Sequence, residues 1–316
     1  MNKKYNLYVP EDSGYFKNFP GHNRLDFPQP LVRVTGGDGG EAILILGSEK
    51  TALHDCGMAC FSDRLIENIK CVLGEEGRTI DYILLSHTHY DHIGALPYIL
   101  KEWPEAVVCA NPKAASVFTK PGAKATMERL GNKAKDLFGI ETVEITAEGL
   151  RVDRILEDGD EISLGKEKVI MYDAKGHTDC SVAYYILPQK ILFTSESTGV
   201  IVSEDLINPS VLKSYQASIE SARKLKLLDA EWIVALHYGV LPQSLNSTYF
   251  DRYIEIAMKE YELVSGAIKR GLDFEEVLEE HKKAYWNEER NRHQPFDAYR
   301  INAEATVKVI MNELNG

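Results

Sequence analysis

Seven consecutive residues, Ser86-His87-Thr88-His89-Tyr90-Asp91-His92, put three imidazoles and a carboxylate within six positions of one another. Imidazole nitrogen and carboxylate oxygen are the side-chain donors that borderline divalent cations take. The run follows Ile80-Asp81-Tyr82-Ile83-Leu84-Leu85, an apolar stretch that predicts a buried strand. A strand that ends in four such groups delivers them to the edge of a sheet, where a loop can wrap a cation. In extended chain His87 and His89 point the same way. Asp91 and His92 fall where the chain turns into a helix, marked by Ile93, Leu96, Ile99 and Leu100 at helical spacing. The spacing suits two adjacent metals, one taken by His87 and His89, the other by Asp91 and His92. A lone histidine is more often a hydrogen-bonded core or surface residue. Three of them with an aspartate at one strand end point instead to a metal centre.

The run resembles the H-x-H-x-D-H signature of the metallo-β-lactamase fold superfamily, and other segments match that family in order. Asp55-Cys56-Gly57 is similar to its strand-end Asp-x-Gly, and Gly176-His177-Thr178-Asp179 to its Gly-His-Thr segment. Ile191-Leu192-Phe193-Thr194 leads to the acidic position, and Ala235-Leu236-His237-Tyr238-Gly239 resembles the last-ligand segment. The resemblance covers roughly residues 30 to 245 and implies His177, Glu196 and His237 as further ligands. It also implies that Asp55 sits behind the metals and accepts a hydrogen bond from a ligand imidazole, fixing its tautomer; the alternative is an aspartate that caps a turn. There is one departure. The family usually has Asp in a Gly-Asp pair at the acidic position, where this chain reads Ser195-Glu196-Ser197. The extra methylene moves the carboxylate.

Two cations about 3.5 to 4 Å apart can share one water and bring its pKa toward neutrality, making a hydroxide nucleophile. The expected assignment is His87, His89 and His177 on one ion, and Asp91, His92 and His237 on the other, with Glu196 as the candidate bridge. A donor set dominated by imidazole favours zinc first, with iron or manganese as alternatives, over magnesium. Tyr90 and Tyr238, beside ligands, are candidate donors to a developing oxyanion or simply packing residues. Asp91, Asp55 and Tyr238 are thus the candidate catalytic side chains. Cys180, three residues after His177, is a candidate ligand or a small packed residue. No G-x-S-x-G nucleophile elbow, Walker loop or Rossmann glycine fingerprint stands out.

These groups must be positioned by regular elements. Leu31–Val34 and Ala42–Leu46 predict a hairpin around Gly36-Gly37-Asp38-Gly39-Gly40, and Lys50–His54 a third strand. Ser62 is expected to cap a helix with the stripe Leu65, Ile66, Ile69, Val72 and Leu73, closed by Gly74 and Gly77. Ala106–Ala110 is a short strand, and 111–139 reads as helix and loop. In the second half, Glu141–Ile145, Arg154–Leu156, Glu161–Leu164, Lys168–Asp173, Val182–Leu187 and Ile191–Thr194 read as strands, Ser214–Leu228 as a helix and Trp232–Leu236 as the last strand. Two strand-rich halves with flanking helices fit an α+β fold, a four-layer αββα sandwich. It is expected to span residues 1–245.

Residues 246–316 change character. Phe250, Tyr253, Ile254, Ala257, Met258 and Tyr261 form one helical face, Phe274, Val277, Leu278 and His281 a second, and Ala303, Val307, Ile310 and Leu314 a third. This predicts a helical C-terminal extension that pads the core, forms a homodimer contact or roofs the site. His54, His281 and His293 read as non-ligands, and His22, in the irregular arm of residues 1–30, as a loop histidine or a substrate neighbour.

A chain of 316 residues, 44% hydrophobic, can bury a full core. Its net charge of -12 argues against a nucleic-acid backbone as partner and weakly against an anionic membrane surface. Five cysteines, an odd number without a C-x-x-C pair, fit reduced thiols. No apolar signal region opens the sequence and no run approaches a membrane span. The expectation is a soluble cytoplasmic protein that acts on a small molecule: a metal-dependent hydrolase of an ester, thioester, lactone or phosphodiester. An iron oxidoreductase on the same fold, or a regulatory binding protein that keeps the metal site, are the alternatives.

Overall fold

A computed structural model describes residues 5–9, 23–201, 207–286 and 296–315. The first sheet comprises β1 (Leu31–Arg33), β2 (Ile43–Leu46), β3 (Thr51–His54), β4 (Tyr82–Leu84), β5 (Val107–Ala110) and β6 (Arg154–Ile155), side by side in that order. The strands β1 to β3 pair antiparallel, as the glycine-rich hairpin requires, and β3 to β6 pair parallel. The second sheet begins with β7 (Glu161–Ser163), β8 (Lys168–Asp173), β9 (Val182–Leu187) and β10 (Ile191–Phe193). A small ribbon, β11 (Val200–Ile201) with β12 (Ile207–Asn208), stands outside it. The sheet is completed by β13 (Trp232–Ala235) and β14 (Gly239–Val240), giving the order β14-β13-β10-β9-β8-β7.

Burial patterns fix the layers. Leu31, Ile43 and Leu84 from the first sheet meet Tyr184, Phe193 and Val234 from the second in one buried cluster between the sheets. The outer face of the first sheet, with Leu44, Leu53, Ile83 and Val108, is covered by Leu65, Ile69 and Val72 of α1 (Ser62–Glu76). Two short helices, α2 (Tyr90–Ile93) and α3 (Leu96–Glu102), follow the histidine-rich run, and Leu96 and Ile99 join the same cluster. Two more, α4 (Pro112–Phe118) and α5 (Pro121–Leu137), complete that flank. On the other side Ala183, Tyr185, Leu192 and Ile233 pack under α6 (Tyr215–Lys226). After α7 (Gln243–Asn246), the C-terminal helices α8 (Tyr249–Lys269), α9 (Phe274–Tyr285) and α10 (Phe296–Asn315) add Tyr253, Ala257, Val277 and Ile310 to that cluster. The result is the expected αββα sandwich. Along β9 alternate residues serve the inner and outer clusters, which is why Val182–Leu187 reads as an unbroken apolar run rather than an alternating one. Among the described residues no helix is long and apolar enough to cross a membrane.

Several sequence expectations are corrected. Glu141–Ile145 is not a strand: Tyr98 Oη donates to Glu144 O, and just beyond the segment Thr146 N–H donates to Tyr98 Oη and Ala147 N–H to the Glu128 carboxylate, at 3.2 and 2.9 Å. Those helix-borne side chains replace a ladder. Arg154–Ile155 joins the first sheet beside β5 instead of opening the second. Ser62 is the first residue of α1, and its buried hydroxyl has no hydrogen-bond partner among the described residues; Phe61 holds the cap position. The helix after the histidine run is broken, because Ala95 N–H donates to Gly57 O instead of along the helix. His22 and His293 lie outside the described residues.

His54, next to Asp55, turns inward between the sheets. Its ring stacks on Phe193 with centroids 4.3 Å apart and meets Tyr184 edge-on at 5.6 Å. Both ring nitrogens are buried without a hydrogen-bond partner among the described residues, and burial holds the imidazole below its ordinary value.

The strand ends converge because β3 and β4 are parallel, as are β10 and β13, and two antiparallel steps turn β8 into the same direction as β10. Asp55, the histidine run, His177, Glu196 and His237 therefore all follow C-terminal strand ends. At Gly176 the backbone adopts φ +136°, and a Cβ there would lie 2.6 Å from Ser218 Cα of α6. Gly176→Ala is expected to cost about 1–3 kcal/mol in stability. A lower denaturant midpoint with an unchanged slope checks this, and an unshifted midpoint refutes the close approach.

Candidate metal centre

Seven side chains meet at this edge. The Glu196 carboxylate is their common neighbour. Its Oε1 lies 2.7 Å from His92 Nε2, 3.0 Å from His237 Nε2 and 3.6 Å from His87 Nε2. Its other oxygen lies 3.2 Å from His177 Nε2. Asp91 Oδ2 is 3.6 Å from both His92 Nε2 and His237 Nε2. The donors fall into three overlapping groups, His87/His89/His177, His87/His92/Glu196 and Asp91/His92/His237, each with ligand atoms within 4.8 Å of one another. The first and third coincide with the two ligand triads expected from the sequence, and Glu196 spans the space between them. Its longer side chain therefore reaches both sides.

Two contacts test whether a cation fits. His92 Nε2 and His237 Nε2 face each other at 3.1 Å, and His177 Nε2 faces His89 Nδ1 at 3.0 Å. Two neutral imidazoles can share such a contact only if one holds its proton there; a divalent ion satisfies both lone pairs. His87 Nε2 is buried with no hydrogen-bond partner among the described residues, an orphaned acceptor of the kind a metal engages. The donor set, five imidazoles and two carboxylates, thus suits one or more divalent cations.

Protonation follows the same geometry. Burial, together with the neighbouring imidazoles His92, His89 and His177, pulls His87 well below its ordinary value; burial and His177 pull His89 down to about 4. Both are neutral and ready to coordinate. Burial works against charge on His92, but Asp91, Asp55 and Glu196 outweigh it and hold it well above the ordinary value; Glu196 does the same for His237. Glu196 itself, although burial opposes its charge, is held ionised by His177 and His237. Asp91 and His237 keep 18% and 24% side-chain exposure against 7% for Glu196, and His89 is also partly exposed, so the cluster opens along His89, Asp91 and His237.

Behind the donors stand the groups that orient them. Asp55 Oδ2 lies 3.0 Å from His92 Nδ1 and also accepts from Ser86 Oγ at 2.6 Å, while Oδ1 accepts from Ser86 N–H at 2.8 Å. An Nδ1–H donated to Asp55 leaves His92 Nε2 for the centre. Despite the burial of Asp55, its neighbours His54, His92 and Ser86 hold its carboxyl below the usual range. His177 Nδ1 lies 2.6 Å from Ser210 O, and Ser86 Oγ lies 3.0 Å from His87 Nδ1. Gly40 passes so close that a Cβ there would sit 2.5 Å from His92 Nδ1. Ser86, Ser210 and Gly40 were not singled out from the sequence. Ser210 acts through its carbonyl, which any residue carries, but Ser86 sits inside the motif and its hydroxyl was a readable signal.

The remaining candidates lie elsewhere. Tyr238 is 1% exposed within the cluster on the outer face of the second sheet. Tyr90 is half-buried against Cys60 and Phe61, and burial pushes its phenol up to about 12. Cys180 belongs to none of the ligand groups. Its thiol lies 3.3 Å from the hydroxyls of Thr88 and Thr178, tying the two histidine loops together.

The profile of the Metallo-beta-lactamase superfamily matches residues 35–237. A probable metallo-hydrolase of Burkholderia pseudomallei is 22% identical over 151 residues, 47% of this chain and 44% of that protein. A hydroxyacylglutathione hydrolase of Brucella ovis is 25% identical over 133 residues, 41% of this chain and 38% of that protein. The chain spans less than half the length of either. The solved structure of a metallo-beta-lactamase family protein from Thermus thermophilus superposes with a TM-score of 0.55 at 19% identity, covering 87% of this chain and 88% of the other.

Asp55→Asn replaces an anionic acceptor of His92 by a neutral amide of the same shape. Zinc affinity, measured by chelator competition, is expected to fall about 10- to 100-fold with the far-UV spectrum kept. Unchanged affinity would leave Asp55 as a turn residue.

Proposed function

We propose that this chain, which belongs to the metallo-beta-lactamase superfamily, is a metal-dependent hydrolase of a small ester, thioester, lactone or phosphodiester. The observation that supports it most is the convergence of two ligand triads on one carboxylate. Similar proteins in this superfamily are named as hydrolases, and the name of the Brucella relative, a hydroxyacylglutathione hydrolase, favours the acyl members of that range. His87, His89 and His177 would hold one divalent ion, and Asp91, His92 and His237 a second, zinc first and iron or manganese otherwise. Such ions supply a hydroxide at neutral pH and polarise the scissile carbonyl or phosphoryl oxygen.

The protein's own residues do the rest. Asp55 and the Ser210 carbonyl keep the His92 and His177 rings turned so that Nε2 faces the centre. Glu196, ionised and almost fully buried, offsets the cationic charge and occupies the space between the triads. Asp91, more open than Glu196, is the carboxylate best placed to accept a proton from the nucleophile or pass one to a leaving group. The buried wall behind the donors excludes water except on the side of His89, Asp91 and His237. The substrate is proposed to be a small molecule rather than a nucleic acid, whose backbone the net charge of -12 would repel, and the setting cytoplasmic.

Two substitutions test the assignment. His89→Ala should abolish turnover on an ester, thioester, lactone and phosphodiester panel and lower bound metal by elemental analysis, with the fold kept; undiminished turnover would refute it. Glu196→Asp shortens the common ligand by one methylene, about 1.5 Å. Metal occupancy or rate should drop measurably, and wild-type values for both would remove Glu196 from the centre. An iron-loaded chain that oxidises thiols but hydrolyses nothing on the panel would favour the oxidoreductase alternative.

A further inference from the structure

The turn that carries Glu196 is held from outside the two sheets. It is a single 3-10 turn, Glu196–Thr198, that leaves β10 with Ser195 in extended backbone. Toward the sheets it is tied by Ser195 Oγ, which donates to Ala174 O at 3.1 Å, and by Ser197 Oγ, which accepts from His177 N–H at 2.8 Å. Its three following carbonyls point the other way, toward the helices. Ser197 O accepts from Ser218 Oγ of α6, and Ser218 Oγ is in turn hydrogen-bonded to Tyr253 Oη of α8. Thr198 O accepts from Tyr249 Oη at 2.8 Å, and the same hydroxyl reaches Gly199 O at 3.4 Å. Ser197, Thr198, Ser218 and Tyr253 are fully buried and Tyr249 is 1% exposed, so no solvent can replace these donors. At Gly199, φ is +90°, and a Cβ would sit 2.8 Å from the Tyr253 ring, which leaves the turn no room to move toward the helix.

We propose that Tyr249 and Tyr253, on the helix after the last ligand, are positioning residues for the Glu196 carboxylate, so that α8 is part of the frame of the metal centre. The inference rests on the metal assignment above. Glu196 is in contact with His92 and His237 through one oxygen and with His177 through the other. A shift of its backbone therefore disturbs both triads together. Two phenol hydroxyls and one serine hydroxyl fix three successive carbonyls, which sets the height from which the longer side chain reaches the centre. Tyr215 provides an internal comparison. It is as buried, and its Oη donates at 2.5 Å to Glu260 of α8, which His281 also contacts at 2.8 Å, but it makes no hydrogen bond to the Glu196 turn.

The test is zinc binding to the purified 316-residue chain, by competition with a chromophoric chelator, alongside thermal unfolding. Tyr249→Phe, Tyr253→Phe and the double variant each keep the ring and remove only the hydroxyl. The double variant should weaken at least one zinc about tenfold or more, in the range typical of groups that orient metal ligands, with each single variant in between. Tyr215→Phe should melt lower while binding zinc as the wild type does. If the tyrosine variants hold zinc with wild-type affinity, or if Tyr215→Phe weakens it as much as they do, the positioning role is overturned and α8 is packing alone. If the wild type itself takes up no zinc, iron or manganese, the metal assignment falls first and this inference with it, an outcome distinct from metal binding that ignores the hydroxyls. Should the double variant fail to fold, the two single variants decide.

Discussion

Several acceptor atoms that repel one another are forced into a space of a few ångströms. Imidazole nitrogens face imidazole nitrogens at 3.0 and 3.1 Å, two carboxylates lie among them, and His87 Nε2 has no hydrogen-bond partner among the described residues. Left to themselves such groups separate or take up protons, as the upward displacement of His92 and His237 and the neutral His87 and His89 reflect. Holding them together without a cation has a cost that the rest of the fold must offset through packing and hydrogen bonding. The two-sheet architecture does so by ending five strands at one edge, so that no single loop bears the strain.

The support has a clear division of labour. Hydrogen bonds from behind fix which nitrogen each ring presents: Asp55 for His92, the Ser210 carbonyl for His177, Ser86 beside His87. Close backbone approaches at Gly40 and Gly176 leave these rings and loops no slack. The C-terminal helices, meanwhile, cover the outer face of the second sheet, where their apolar stripes are buried. Padding and site support are not exclusive roles, because the same helix that fills the outer layer also sends hydroxyls to the carbonyls behind Glu196.

His87, His89, Asp91 and His92 were legible because they depend on side-chain identity at short spacing after an apolar run, whereas His177, Glu196 and His237, distant in sequence, were reached through the family resemblance. Lys168–Asp173 and Val182–Leu187 were read to the residue, since both are long and unbroken. The misreadings share a cause. Glu141–Ile145 has the composition of a strand, but Glu144 O accepts from the Tyr98 hydroxyl, and the residues just after the segment bond to that same hydroxyl and to the Glu128 carboxylate, both on helices distant in sequence. Arg154–Ile155 is too short to reveal which sheet it will join. The props of the Glu196 turn were out of reach for the same reason, because their acceptors are carbonyls. Tyr253 looks from the sequence like a member of an apolar stripe and Tyr249 was not singled out, because the hydroxyl at the end of each ring leaves no periodic trace.

His54 carries a consequence of its own. A base packed flat against Phe193 in the seam between the sheets must remain uncharged for the seam to stay closed. The unfolded chain accepts a proton there near the ordinary value of 6.5, whereas the folded chain resists until the medium is more acidic. Each pH unit across that gap removes up to about 1.4 kcal/mol of folding free energy. Acid tolerance is thus limited in part by an aromatic sandwich deep in the interior, at some remove from the residues that would perform the chemistry.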